Sequence, residues 1–448
     1  MASHTAGQQI TITSKGRSST LTLTDDSLRV QRQGEEWQDV QVPYRNVVWS
    51  EYVNGSLEIS VLAKRGTRKK ATKLVLVHLV TEVEEAQTEA VANFINTLTQ
   101  HSYKGPQTPR RVKVLVNPHS GPGKAVQLFK QKVEPLFRAA RCILDVTYTT
   151  SRGHATEIAR DMSLDAYDAV AVMSGDGLVH EVLNGFAKHK DPMNALRIPI
   201  AQIPAGSGNG FSLNLLGLEE GADVSAAALN VVKGRPMKID LFSFTQGDTR
   251  VLSFMSQCVG LMAELDIWTE HLSRFVVGYL TGLIRRRACP IKIQIKVAHL
   301  DKNEIYKTFK EARSRALEAS SSDTIQPVPA TEHSLIANGG STVSSLPPLK
   351  YAGVDHEEDG WISVDKPTLF VYAGKGPYVS KDLMQFPTSL PDDGFIDVIV
   401  QERITRKQLL ASMDGAVDGE HYWHPQVSVV PMLTRILNSQ PSNAGTLL

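Results

Sequence analysis

The sequence predicts an α/β domain with a parallel sheet, set between two β-rich regions. Three observations predict it. Short apolar strands alternate with helical segments through residues 112–232. Runs of β-branched residues, separated by turn residues, fill residues 8–80 and return after Lys238. Three glycine-rich turns each follow a strand of the central part. Alternation of this kind specifies a parallel sheet with helices on both faces.

The first β-rich region offers Gln9–Thr13, Thr20–Thr24, Leu28–Gln31, Val47–Tyr52, Leu57–Leu62 and Leu74–His78 as strands. Glu82 to Leu98 then has helical spacing, with Val83, Ala86, Ala90, Val91, Phe94, Ile95 and Leu98 on one face. Strands closed by one terminal helix outline a PH-like module over residues 1–101. Lys64, Arg65, Arg68, Lys69, Lys70 and Lys73 form a basic run. Such a run is either a solvated loop or a contact for anionic lipid heads. Gly105, Pro106 and Pro109 mark a linker.

The central domain is expected over 110–235. Its strands are Val112–Val116, Ile143–Tyr148, Ala169–Met173 and Ile198–Ile203. Its helices are Lys124–Ala140, His154–Met162, Leu178–Lys188 and Val224–Val232. From 236 to 437 strands dominate, among them Ile291–His299, Thr368–Ala373, Phe395–Val400 and Val427–Val430. Glu318–Leu346 is rich in Ser, Ala, Pro and Thr, so a disordered insertion is expected over 310–360. Asn438–Leu448 reads as a polar tail.

Composition narrows the function. A length of 448 residues suggests about three domains. Lys and Arg number 48 against 47 Asp and Glu, which speaks against a nucleic-acid binder. Cys142, Cys258 and Cys289 are far apart, so neither a disulfide framework nor a Cys-rich zinc site is expected, and a reducing compartment fits. Met1–Gln9 is polar and shows no signal peptide. Phe275–Ile284, followed by Arg285, Arg286 and Arg287, is too short to span a bilayer, which takes about 20 residues. It fits a core helix or a membrane-surface helix. Oligomeric state has no signature in the sequence.

The chemistry sits in the turns. The first is Asn117-Pro118-His119-Ser120-Gly121-Pro122-Gly123-Lys124. The second is Ser174-Gly175-Asp176-Gly177-Leu178-Val179-His180-Glu181. The third is Pro204-Ala205-Gly206-Ser207-Gly208-Asn209-Gly210. Ligands of open α/β sheets bind at the carboxyl ends of strands. Glycine lets N–H groups converge on an anion, and a helix N-terminus adds positive potential. Three such turns on one sheet edge make a phosphate cradle. Known fingerprints fail: Lys124 is followed by Ala125, not Ser or Thr; Gly121-Pro122-Gly123 lacks the third glycine at Val126; Ala205 breaks G-x-S-x-G; Asn184 breaks H-E-x-x-H. Asp176 is either a helix N-cap or a general base for an attacking hydroxyl. Glu181 is either a helix-start carboxylate or a group that orients nucleotide or magnesium.

In order and spacing, the three turns resemble the diacylglycerol-kinase catalytic fold (NAD-kinase/diacylglycerol-kinase-like), and specifically the sphingosine, or sphingoid long-chain base, kinases. Ser174 to Gly185 is very close to that family's signature, as are Leu252-Ser253-Phe254 and Ala263-Glu264-Leu265-Asp266. The resemblance covers about residues 110–435. It implies an ATP-binding domain, a β-sandwich lipid-binding domain, and transfer of the ATP γ-phosphoryl group to the primary hydroxyl of a sphingoid base. Magnesium would be carried by ATP, with no metal ligand assigned directly. A cytoplasmic protein, peripheral on membranes, is implied.

By position, Asp176 resembles the family's catalytic base. Asn117, Pro118, His119, Gly121, Thr150, His154, Gly175, Gly177, Glu181, Gly206, Ser207 and Gly208 resemble nucleotide contacts. So do Arg274, Gly419 and Glu420. Ser174, Asp176, Ser256 and Asp266 resemble contacts to the lipid. Asp266 would pair with the substrate ammonium, because an unpaired buried charge is costly. The sequence is shorter than the family around Ser273, where the family carries a second phosphate-binding arginine. Asp392-Asp393-Gly394 with Asp397 resembles an element that supports a metal or the domain junction, and reads equally as an Asp-Gly turn. The alternatives are a diacylglycerol or ceramide kinase, whose substrates carry no amine, and a non-catalytic lipid-binding homologue.

Overall fold

The structure is a computed structural model. It describes residues 8–14, 17–32, 40–65, 73–83, 85–104, 108–263, 289–299, 301–321, 345–349, 360–381, 383–403, 405, 422–423, 426–428 and 432–438.

The N-terminal residues form two antiparallel meanders. β1 (Gln9–Ser14), β2 (Arg17–Leu23), β3 (Ser27–Arg32) and β4 (Val40–Pro43) make one sheet. β5 (Val47–Val53), β6 (Ser56–Arg65) and β7 (Lys73–Glu82) make the other. Alternation puts Ile10, Ile12, Leu21 and Leu23 of one sheet and Leu57, Ile59 and Val61 of the other into a shared core. Helix α1 (Thr88–Tyr103) covers it with Val91, Phe94, Ile95 and Leu98, one helical face. α1 starts six residues later than expected, since Glu85–Gln87 is a 3-10 turn.

The central sheet has seven strands in the order β13-β12-β23-β11-β10-β8-β9. Four are the expected parallel strands: β8 (Arg111–Val116), β9 (Ile143–Tyr148), β10 (Ala169–Ser174) and β11 (Ile200–Pro204). Val112, Val114 and Val116 point to one face, and Leu115 to the other. β8, β10 and β11 are buried on both faces and read as largely apolar runs, whereas β9, at the sheet edge, is half-exposed and mixed in composition. One face carries α2 (Ala125–Leu128), a π-turn at Phe129–Val133 and α3 (Glu134–Ala139). The other carries α4 (His154–Arg160) and α5 (Asp176–Ala187), followed by α6 (Pro192–Ala195).

Two helices follow β11. α7 (Gly210–Glu220) has no counterpart among the expected helices, and α8 (Val224–Lys233) has. The remaining strands cross the boundary expected at residue 235. β12 (Arg235–Gln246) and β13 (Thr249–Ser253) extend the sheet antiparallel, and β23 (Met432–Asn438) inserts between β11 and β12. The chain therefore leaves the central sheet after Ser253 and returns to it near its end.

Between these points lies an antiparallel sheet in the order β14-β17-β20-β22-β15-β16. It comprises β14 (Ser256–Gly260), β15 (Ile293–His299), β16 (Trp361–Val364), β17 (Thr368–Gly374), β20 (Phe395–Glu402) and β22 (Gln426–Ser428). β21 (Tyr422–Trp423) pairs with β20, and a hairpin of β18 (Tyr378–Ser380) and β19 (Leu383–Met384) stands apart. The insertion expected over 310–360 is corrected at its start. Lys302–Ser321 is a helix, α9, because its Glu, Lys, Arg and Ala content favours helix over coil. Leu346 packs on the central core, and the Pro347 carbonyl accepts from Arg250 at 2.8 Å. Among the described residues no helix is long and apolar enough to cross a membrane. Cys142, Cys258 and Cys289 are free thiols.

Candidate active site

The parallel register brings the three turns level. Met173 pairs with Val116, and Ser174 with Pro204. The turns that follow are neighbours on one sheet edge. Side chains tie them together. Asn117 accepts the His119 N–H at 3.0 Å, closing the first turn, and its amide reaches Ser174 Oγ at 3.4 Å. Ser174 Oγ donates to Ser120 Oγ at 3.2 Å. Asn209, at φ +55°, closes the third turn by accepting the Gly206 N–H at 2.9 Å and donating to the Gly206 carbonyl at 2.7 Å.

The glycines divide into two groups. A Cβ on Gly121 would lie 2.6 Å from the Ala205 carbonyl oxygen, and one on Gly206 would lie 2.4 Å from Gly175 Cα. These glycines let turn pack on turn. At Gly123 and Gly177 a Cβ would meet no atom within 4 Å. Both residues are exposed. At these two positions the turns face open space.

Asp176 does not cap its own helix. It is the first residue of α5, with Gly175 in the capping position and no side-chain cap bond. Its carboxylate turns instead to α7, accepting Gly210 N–H on Oδ2 at 3.0 Å and Phe211 N–H on Oδ1 at 2.9 Å. Two orphan donors of a helix N-terminus are thereby satisfied from a distant strand end. The next N–H of α7, on Ser212, goes to Gln202 Oε1 at 2.8 Å, and Gln202 Nε2 donates to the Ser174 carbonyl at 3.3 Å. Asp176 as a whole is half-buried, while its carboxyl group is deeply enclosed. Burial pushes its pKa above the ordinary Asp value, against the lowering effect of the Phe211 and Gly210 N–H groups. A carboxylate enclosed in this way, with lone pairs left over, can accept a proton from a hydroxyl.

Glu181 turns to α4, where Oε2 accepts the Ala155 N–H at 3.3 Å. It serves as a cap from the neighbouring helix. His154 Nδ1 accepts the Thr150 N–H at 3.1 Å, so the Thr150–His154 turn is a closed unit beside the other turns. Pro118 and Gly208 are half-buried and Ser207 is exposed on the same edge. Ser256 begins β14, opposite Gly374, next to Met255, whose Cε lies 2.5 Å from where a Gly210 Cβ would stand. Asp266, Arg274, Gly419 and Glu420 lie outside the described residues, as does the segment around Ser273.

Sequence reasoning missed three amides. Asn184 holds the Leu252 backbone through Oδ1 and Nδ2 at 2.9 and 3.0 Å. Asn214 does the same for Tyr378, and Gln202 joins the second turn to α7. Each binds backbone remote in sequence, so no local pattern announces it. The Asp393 turn is linked to β12 of the central sheet through Lys375. Lys375 Nζ donates to Asp240 Oδ2, Asp393 Oδ1 and the Phe395 carbonyl at 2.7, 2.6 and 2.7 Å.

Residues 111–244 match the family model described as diacylglycerol kinase catalytic domain, and residues 341–441 match the YegS C-terminal NAD kinase beta sandwich-like domain. A sphingoid long chain base kinase 4 from Schizosaccharomyces pombe is 30% identical, over 91% of this chain and 82% of that protein. A sphingoid long chain base kinase 5 from Saccharomyces cerevisiae is 31% identical, over 75% of this chain and 55% of that protein. A sphingosine kinase 1 from Arabidopsis thaliana is 28% identical, over 73% of this chain and 64% of that protein. A crystal structure of a diacylglycerol kinase from Bacillus anthracis aligns over 74% of this chain and 98% of that chain, with 17% identity and a TM-score of 0.45. With a diacylglycerol-kinase catalytic core, a sandwich-like second domain and a relative matched along most of its length, this chain belongs to the sphingoid long-chain base kinase family.

Proposed function

We propose that this chain is an ATP-dependent lipid kinase that phosphorylates the primary hydroxyl of a sphingoid long-chain base. The observation that carries the reading is the carboxylate of Asp176, enclosed at the junction of three level turns and aimed by the first N–H groups of α7. In this mechanism Asp176 accepts the hydroxyl proton as the substrate oxygen attacks the γ-phosphorus, and ADP leaves.

The nucleotide phosphates occupy the open space at Gly123 and Gly177, beside Asn117, Pro118, His119, Gly121, Thr150, His154, Gly175, Gly206, Ser207 and Gly208. Glu181 supports this wall by fixing the start of α4. Arg274, Gly419 and Glu420 complete the nucleotide side in this reading, and Ser174, Ser256 and Asp266 the lipid side. Magnesium would be carried on the ATP phosphates, with no metal ligand assigned directly. Bound there, magnesium would neutralise charge on the transferred group.

The domain assignment that accompanies this reading is a PH-like module over 1–101, a catalytic domain over 110–235 and a lipid domain over 236–437. The catalytic sheet also takes in β12, β13 and β23. The module, with its basic run, would support peripheral contact with cytoplasmic membrane surfaces.

The experiment is phosphoryl transfer from labelled ATP to dihydrosphingosine by this chain and by Asp176→Asn. Transfer by the first and none by the second is expected. Equal transfer by both would reduce Asp176 to a cap of α7.

A further inference from the structure

α7 contacts both the second turn and the segment that carries β18. Its N-terminal N–H groups hold Asp176, as described above. One turn later Asn214 accepts the Tyr378 N–H on Oδ1 and donates from Nδ2 to the Tyr378 carbonyl, both at 2.8 Å. An amide that satisfies both backbone groups of one residue fixes its orientation as well as its position. Tyr378 opens β18, on the segment that leaves the second sheet at Gly374.

The fit on both sides is backbone-close. Gly376 has φ +87°, and a Cβ there would lie 2.5 Å from Asn214 Nδ2. A Cβ on Gly210 would lie 2.6 Å from the Val379 carbonyl oxygen and 2.8 Å from that of Tyr378. Asn209 forms a bridge with Ser380. Gly208 lies between the carboxylate and the backbone of this segment: a Cβ there would stand 3.5 Å from Asp176 Oδ2 and 3.6 Å from the Val379 carbonyl oxygen. The three turns take the nucleotide side of Asp176. In this reading the acceptor hydroxyl approaches the same carboxylate from the side of Gly208 and β18.

We propose that Asn214 is a positioning residue that seats β18 over Asp176, so that the wall of the acceptor site and the base form one rigid unit. The inference rests on the reading of Asp176 as general base. The seated strand shields the carboxyl from water and fixes the approach of the lipid hydroxyl. Loss of the seat therefore weakens acceptor binding and lets water reach the base, whose pKa falls toward the ordinary Asp value.

The test is steady-state kinetics of the full chain, Asn214→Ala and Asn214→Asp with dihydrosphingosine and ATP-magnesium across pH 5–9. Asn214→Ala should raise KM for dihydrosphingosine about tenfold, the order expected for two lost backbone hydrogen bonds. KM for ATP should stay within about twofold, and the acid limb of kcat should move to lower pH. Asn214→Asp keeps an acceptor for the Tyr378 N–H but sets a carboxylate against the Tyr378 carbonyl, so it should be at least as impaired. An unchanged dihydrosphingosine KM and an unmoved acid limb overturn the proposal, even where melting temperature falls. No transfer by the wild-type chain, or full transfer by Asp176→Asn, overturns the underlying reading and this inference with it. Normal wild-type transfer, lost in Asp176→Asn and unaltered in both Asn214 variants, overturns this inference alone.

Discussion

Gly175 and Gly206 meet backbone to backbone: a Cβ on Gly206 would lie 2.4 Å from Gly175 Cα and 2.8 Å from Gly175 N. Glycine at 206 is thus demanded by the neighbouring turn. Glycine at 177 is not demanded by the protein at all. It sits in the first turn of α5 with no atom within 4 Å of a Cβ. Two glycines of neighbouring turns therefore answer to different constraints.

This division predicts opposite outcomes for two alanine variants. Gly206→Ala forces the second and third turns apart and should cost about 1–3 kcal/mol of stability, as overpacking does. Gly177→Ala should leave the fold intact and stabilise α5 by about 0.5–1 kcal/mol, since alanine favours helix. Its methyl group would project into the proposed phosphate space, and KM for ATP should rise at least tenfold. Thermal melting together with ATP titration separates the two. A Gly177→Ala enzyme with wild-type ATP affinity would move the phosphates elsewhere on the edge.

How much of this was legible in the sequence follows from where burial is two-sided. β8, β10 and β11 lie between helical layers, so Val112–Val116, Ala169–Met173 and Ile198–Ile203 read as apolar runs and were placed within two residues. α7 was not legible. Its Gly-Phe-Ser-Leu-Asn-Leu-Leu-Gly-Leu-Glu-Glu sequence opens on a glycine, and Gly217 breaks it at φ +79°. Its start is set by what caps it, the carboxylate of Asp176, 34 residues earlier. The place of β23 between β11 and β12 was equally hidden, because strand order is a tertiary property.

The pH profile of kcat tests the environment of Asp176. A general base works when ionised, so activity climbs as pH passes its pKa. Burial raises that pKa above the ordinary Asp value of about 3.9. The acid limb should accordingly sit above the range of an exposed carboxylate and vanish with the activity in Asp176→Asn. A limb at the ordinary value would mean that the carboxyl is hydrated in the working enzyme.

Lys375 predicts a stability effect at the domain junction. Its ammonium is 4% exposed and binds Asp240, itself 1% exposed, together with Asp393. Lys375→Met would leave two carboxylates facing each other without a counter-ion, and breaking a buried pair from one side costs about 3–5 kcal/mol. Chemical denaturation should show that loss. Asp240→Asn added to Lys375→Met should recover part of it, because one buried charge is then gone. A Lys375→Met protein as stable as wild type would mean that water already reaches the junction.

Lys233 predicts how the N-terminal module responds to pH. The last residue of α8, it donates to the Tyr44, Arg45 and Val47 carbonyls at 3.1, 3.0 and 2.9 Å and lies 4.7 Å from the Tyr103 ring centroid. Those carbonyls surround the end of a 3-10 turn at Tyr44–Asn46, where backbone acceptors are short of partners. Burial lowers the Lys233 pKa from the ordinary 10.5 to about 7. The sign follows from linkage. Below pH 7 the lysine is charged whether the module is docked or free, and the full cost of burying the charge is present. Between pH 7 and 10.5 the docked form holds fewer protons than the free form, so docking strengthens as pH rises. The melting temperature of wild type minus that of Lys233→Met should increase from pH 7 to pH 10, a difference that cancels the other titrating groups. A flat difference would mean that the three carbonyls keep the ammonium charged throughout, and that Lys233 fastens the module as a permanent cation.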